Sequence, residues 1–161
     1  MTGMRIGTGF DAHRLVEGRP LMIGGVRIEH PRGLEGHSDG DCLLHAVCDA
    51  LLGALGAGDM GRHFPSGDAR WKDAPSVRFL ERVARMVDEG GYALANLDAT
   101  VIAEAPPLAP HLEAMRARIA EALGVLLEVV SVKAKSTDGL GALGRGEGIA
   151  AQASVLLRAR A

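Results

Sequence analysis

Aromatic residues are nearly missing from this chain: Phe, Trp and Tyr make up 3% of its 161 positions. A core must then be built from Ala, Val, Leu and Ile, and the 47% hydrophobic content supplies them. Cysteine is as scarce. Cys42 and Cys48 lie on one predicted helix, roughly 9 Å apart along its axis, which is too far for a disulfide. Two reduced thiols suit the cytoplasm, the expected compartment. No signal peptide and no apolar run of about 18 residues is seen, so neither export nor a membrane span is indicated. A charge excess is also lacking: the net charge of −2 gives no argument for nucleic-acid binding. Glycine is what abounds, with 22 residues clustered at 24–25, at 90–91 and within GLGALGRGEG at 139–148. Such clusters mark tight turns and loops that approach a ligand closely.

The pattern predicts strands over Met4–Asp11 and Leu21–Ile28, the second interrupted by Gly-Gly. Ser38 is the expected N-cap of a helix running to about Leu55, with Leu44, Val47, Leu51 and Leu55 on its apolar stripe. Residues 56–75 read as loop. A second helix starts at Ser76 and stops at Gly90-Gly91. Leu97–Glu104 alternates as a strand, Pro107–Leu123 forms a third helix, and Val129–Lys135 and Ile149–Leu157 are the last strands. The order β-β-α-α-β-α-β-β implies an α+β fold. It is one domain over 1–161, a mixed sheet with helices on one face in a ferredoxin-like layering. Ile149, Ala151, Ala153, Val155 and Leu157 share one strand face, and few helices remain to cover it. Three such faces around a sheet-lined axis would bury one another in a trimer.

Chemistry concentrates in four places. Asp11 and His13 stand two apart on a strand, so a carboxylate and an imidazole share one face. His45, about two turns into the first helix, can complete a ligand set of two His and one carboxylate with an open fourth position, as in a catalytic zinc site. Asp49, one turn on, can accept the other ring N–H of His45, unless it belongs to an ordinary polar face. His37-Ser38-Asp39-Gly40-Asp41 precedes that helix and is either an anion site at its N-terminus or a plain cap. Lys133–Gly139 ends a strand with two lysines, two hydroxyls and Asp138. It reads as a phosphate cradle with a carboxylate for a hard cation such as Mg²⁺, or as a polar hairpin loop. Arg145 and Glu147 bind an anion or pair with each other.

Several segments occur in order across residues 4–158: RIGTGFDAHRL, IGGVRI, HSDGDCLLHAVCDALLGALGAGDMG, FP, TVIAEAP, VKAK and GRGEGIAAQA. On these the chain resembles the 2-C-methyl-D-erythritol 2,4-cyclodiphosphate synthase family of non-mevalonate isoprenoid biosynthesis. The resemblance implies a homotrimer with active sites at subunit interfaces. It implies intramolecular phosphoryl transfer in 4-diphosphocytidyl-2-C-methyl-D-erythritol 2-phosphate, closing a cyclic diphosphate and expelling CMP. Zinc would be held by Asp11, His13 and His45, and Mg²⁺ or Mn²⁺ by Asp138. His37 and Ser136 would be catalytic, stabilising the transition state. Substrate contacts would come from Asp11, His13, His37, Ser38, Asp59, Gly61, Phe64 and Asp68. The nucleotide would lie along Ala103, Ala105, Pro106, Leu108 and Ala109, and the diphosphate along Lys135, Ser136, Thr137 and Asp138. Ala142, beside the trimer axis, and Arg145 would complete the substrate-binding set.

The chain departs from the family pattern at five places. Asp138 replaces Glu, Lys135 replaces Thr, Pro107 replaces Lys, Ser66 replaces Asp and Ala142 replaces Phe. The competing readings are a zinc phosphoesterase that hydrolyses a nucleotide diphosphate, and a nucleotide- or metal-binding protein without turnover.

Overall fold

A computed structural model describes residues 3–160. Strand β1 (Met4–Glu17) pairs antiparallel with β7 (Gly148–Ala159), from Met4 opposite Arg158 to Arg14 opposite Gly148. With β4 (Arg32–Leu34), β5 (Tyr92–Ile102) and β6 (Val130–Lys135) they form a five-stranded sheet of order β4-β1-β7-β5-β6. The β5–β6 pair is parallel and the others are antiparallel, so the sheet is mixed as expected. The Leu21–Ile28 segment is a separate hairpin, β2 (Leu21–Ile23) and β3 (Val26–Ile28). Gly24 and Gly25 turn it with φ of 61° and 73°, a region that favours glycine.

Helices α1 (Cys42–Leu55), α3 (Val77–Glu89) and α4 (Leu112–Leu123) cover one sheet face. The four-residue helices α2 (Met60–His63) and α5 (Gly141–Gly144) lie in loops. α2 falls inside the span read as loop, and at four residues it is too short to show a periodicity. The third helix starts later than expected: Ala109–His111 is a 3₁₀ turn around Pro110, and α4 proper begins at Leu112.

Two expectations are corrected. The row Ile149, Ala151, Ala153, Val155 and Leu157 is fully buried, because β7 is the middle strand and α1 lies across it. The face without helices is the opposite one. There Ile6 is 74% and Phe10 63% exposed, with Thr8, Ser131, Lys133 and Lys135 also exposed. The N-cap of α1 is Asp41, not Ser38. Asp41 accepts from Leu44 N at 3.1 Å and also from Gly24 N at 2.9 Å and Gly25 N at 2.7 Å. One buried carboxylate thus starts the helix and anchors the β2–β3 turn, which a single hydroxyl at Ser38 could not do.

α1 sits unusually close to β1. A Cβ at Gly7 or Gly9 would collide with the backbone of Ala50 or Ala46. Gly9→Ala should therefore overpack the helix–sheet seam and cost about 3 kcal/mol. Gly67→Ala has open space around it and should stay within about 0.5 kcal/mol of the parent. Urea denaturation of both variants checks the contrast.

Candidate metal centre and its cavity

Strand alternation puts Gly7, Gly9, Asp11 and His13 on the helix-covered face of β1. α1 runs over that row and places His45 above its end. Asp11 Oδ2 lies 2.7 Å from His13 Nε2 and 3.0 Å from His45 Nδ1, and the two ring nitrogens are 3.3 Å apart. The three expected ligands are therefore together, and they are the one such cluster found among the described residues. Zinc with ligands at about 2.0–2.1 Å would space tetrahedral donors by about 3.3 Å, so the donor set and its size fit that ion.

The electrostatics agree. Burial would raise the Asp11 carboxyl, but its hydrogen bonds to His13 and His45 outweigh that and hold it well below the usual range. Burial would lower the His13 ring, but Asp11 outweighs that and raises it. In the protein alone, the carboxylate shares its charge with the two rings. A metal would replace the proton between them.

A cavity of about 360 Å³ opens above the cluster. His37, Ser38, Asp59, Gly61 and Phe64, five of the residues that the resemblance gave as substrate contacts, line it. His37 Nε2 reaches the Asp68 carbonyl at 3.4 Å, so the Asp68 backbone lies at the rim. The Asp68 side chain is turned to Arg70, 2.6 Å away, and caps the turn at Ala69–Trp71. One wall was not anticipated. Phe64, Trp71 and Phe79 stack with centroids 4.9–5.2 Å apart, and Phe79 lies 6.1 Å from His45. This cluster takes in all but two of the chain's few aromatics.

Asp49 lines the cavity but does not hold His45. Its Oδ1 accepts from Met60 N at 2.8 Å, and burial raises its carboxyl. The partners of His45 Nε2 are Ser76 Oγ at 2.8 Å and Ser38 Oγ at 3.2 Å. Nothing in a single sequence singles out Ser76 for this role, since it also stands at the start of α3.

The remaining expected residues are elsewhere. Asp11 is opposite Ala151, Ala151 opposite Val101, and Val101 opposite Ala134. The Lys135 end of β6 is thus three strand spacings from the cluster, about 14 Å at ~4.8 Å each. There Ala103 N donates to Lys135 O at 2.9 Å, and Gly139 N to Glu104 Oε2 at 3.5 Å. Ser136 Oγ bonds Asp138 Oδ1 at 3.1 Å, and Thr137 Oγ1 donates to Leu140 O at 2.7 Å. Ala105, Pro106 and Ala109 belong to the same edge, but the Leu108 side chain is buried in the core. Arg145 is paired with Glu147 at 2.6 Å, and Ala142 lies within α5. None of these residues lines the cavity above the metal cluster.

Comparison with known proteins places the chain. The YgbB family model matches residues 4–158. A 2-C-methyl-D-erythritol 2,4-cyclodiphosphate synthase of Salinibacter ruber is 58% identical over 155 residues, 96% of this chain and 99% of that protein. One of Moorella thermoacetica is 61% identical over 154 residues, 96% of this chain and 94% of that protein. The solved CDP complex of IspF from Plasmodium falciparum superposes with a TM-score of 0.87 at 32% identity, covering 100% of this chain and 99% of that one.

The geometry separates His45 from Asp49 on the site face of α1. His45→Ala removes a ligand and should abolish tight zinc binding in a folded protein. Asp49→Asn touches no ligand and should leave zinc affinity within about twofold, well short of the 10–100-fold loss typical of a ligand's own partner. Competition with a chromophoric chelator measures both.

Proposed function

The chain belongs to the YgbB family, and from that premise we infer that it forms 2-C-methyl-D-erythritol 2,4-cyclodiphosphate and CMP from 4-diphosphocytidyl-2-C-methyl-D-erythritol 2-phosphate. The observation that carries this is identity near 60% along almost the whole of two synthases, with the Asp-His-His cluster at the floor of a cavity. The relatives' names lend no support to a hydrolytic reading.

The chemistry asks little of the side chains as nucleophiles. An oxygen of the substrate's own 2-phosphate attacks the β-phosphorus, and the bond to CMP breaks. The protein must bring those atoms into line and favour the charge that develops. Asp11, His13 and His45 would hold zinc, and Asp138, an exposed carboxylate beside two hydroxyls, would hold Mg²⁺ or Mn²⁺. When bound, these ions supply polarisation of the phosphate under attack and neutralisation of the diphosphate. His37 stands at the cavity with a ring N–H to offer, and Ser136 offers a hydroxyl at the far edge. The aromatic wall keeps water from one side of the erythritol.

The cavity is small for a nucleotide and a branched sugar phosphate together, since ligand pockets range over about 300–1,000 Å³. The nucleotide-side residues line the other edge of the sheet, so one chain holds two half-sites. A cyclic trimer reconciles them, with the metal cluster of one subunit facing the Ala103–Ala109 and Lys135–Asp138 edge of the next. The exposed Ile6 and Phe10 on the helix-free face supply apolar surface for such an assembly. This replaces the buried β7 row as the reason to expect it. Cytoplasmic location follows from the chemistry of the reduced cysteines, Cys42 and Cys48.

Phosphorus NMR of the chain with the cytidine substrate, Zn²⁺ and Mg²⁺ should show cyclic diphosphate and CMP. A linear bisphosphate would overturn the reading. His45→Ala and Ser136→Ala should each be nearly inactive alone. Mixed one to one and allowed to exchange subunits, they should regain about a quarter of parental activity, because each site draws its halves from two subunits. A stable, fully active monomer in sedimentation would refute the shared site. Asp138→Asn should weaken the Mg²⁺ or Mn²⁺ dependence at saturating zinc, and Asp138→Glu should keep it.

A further inference from the structure

His45 must present one particular nitrogen. Nδ1 faces the cluster, 3.0 Å from Asp11 Oδ2. A neutral imidazole carries its proton on one nitrogen, and only the bare one can bind a metal. Which one is bare depends on what the other meets. Nε2 meets the Ser76 hydroxyl at 2.8 Å, and a hydroxyl can give or take a hydrogen bond.

Asp39 removes that ambiguity. Its Oδ1 accepts from Ser76 Oγ, and its Oδ2 accepts from Ser76 N at 3.0 Å. A carboxylate has no proton to offer, so the Ser76 hydroxyl donates to it and keeps only lone pairs for His45. The histidine then carries a proton on Nε2, while the Asp11 carboxylate beside Nδ1 can hold a second one there until a metal takes its place. We propose that Asp39 and Ser76 are positioning residues: in series they hold a proton on His45 Nε2 and aim Nδ1 into the metal cluster.

The surroundings fit that task. Ser76 stands at the N-cap of α3, where a serine hydroxyl commonly takes a helix N–H, but here it makes no such bond. Ser76 is completely buried. Asp39 is held in place because the loop before α1 is zipped to the segment before α3, with Asp39 N on Ala74 O at 3.2 Å and Asp73 N on His37 O at 2.8 Å. Ser38 Oγ, the second neighbour of Nε2 at 3.2 Å, accepts from Gly40 N at 3.3 Å and lies 3.4 Å from Ser76 Oγ, which can take its proton because the Ser76 proton goes to Asp39. Carboxylates commonly hold ligating histidines in this way, and here a hydroxyl is inserted between the two.

The metal consequence rests on the proposed zinc site, whereas the ring tautomer can be read without any metal. Two-bond proton–nitrogen NMR of the metal-free full chain carrying Asp11→Ala, which removes the competing carboxylate beside Nδ1, with ring-labelled histidine, should show His45 as the Nε2–H form. An Nδ1–H form in that chain would overturn the proposal, whether or not zinc binds to the parent. Ser76→Ala removes the relay. Asp39→Asn can accept from only one of the two Ser76 groups, because its amide nitrogen must face the other. Each should move His45 toward a mixture of tautomers in the Asp11→Ala chain and, with Asp11 present, weaken zinc about 10–100-fold in chelator competition. The double variant should lose no more than the worse single one, because the two groups act in series. Parental tautomer and zinc affinity within twofold in both single variants, or a double loss equal to the product of the single losses, would refute it. A parent chain that binds no zinc would sink the metal reading alone, and the tautomer would still decide the relay.

Discussion

The distance at which α1 can lie on β1 is set by four small residues, Gly7, Gly9, Ala46 and Ala50, and the metal cluster depends on that distance. Two residues along a strand advance about 6.7 Å, and four along a helix about 6 Å. The steps nearly match. Ala50 therefore meets Gly7 and Ala46 meets Gly9, and one further step carries the helix start to Asp11 and His13. His45 overhangs that point because it is the neighbour of Ala46. A side chain at either glycine would lift the helix, and His45 would leave a cluster whose donors are 2.7–3.3 Å apart.

The cluster is a costly place to build. Three polar groups are drawn together under half-buried conditions, where burial alone would favour the neutral forms of Asp11 and His13. Supports from three directions hold them. β1 fixes Asp11 and His13, the α1 seam fixes His45, and the zipped loops before α1 and α3 fix the far side of the His45 ring. Asp41 belongs to this scaffold and not to the site: its three backbone bonds tie the start of α1 to the β2–β3 turn. Charge at the centre thus depends on uncharged packing around it, which is how preorganised sites stay costly but stable.

Much of this was legible in the residues. The period-2 pattern of β1 and the spacing of His45 put three ligands on facing surfaces, because strand and helix periods are local properties. The resemblance extended that to the cavity residues His37, Ser38, Asp59, Gly61 and Phe64. Failures came where a tertiary partner decided between equal local choices. Ser38 and Asp41 are both good caps, and only the Gly24-Gly25 turn selects Asp41. Asp49 and Ser76 can both partner a histidine ring, and only the meeting of α1 with α3 selects Ser76. The β7 row reads as a face in need of cover, and strand order shows that α1 covers it. Alternation tells which residues share a face but not which face meets the helices.

The same sheet geometry explains why half of the expected site lies apart. The cross-row from Asp11 through Ala151 and Val101 to Ala134 runs straight across four strands, so the metal cluster and the Lys135–Asp138 loop share one end of the sheet but not one pocket. No hinge in a continuously hydrogen-bonded sheet could close a gap of about 14 Å, or three strand spacings. In the proposed trimer, proximity comes from a second copy, and rotation about one axis brings unlike edges together where translation would not close. The helix-free face is suited to that axis. Its apolar members Ile6 and Phe10 lie on β1, the strand that carries two of the ligands, so burying them against a neighbour would also fix the height of the metal cluster relative to the adjoining subunit. The alternation that sends Asp11 and His13 inward sends Ile6 and Phe10 outward. In the proposed trimer one strand would thereby serve both catalytic placement and assembly.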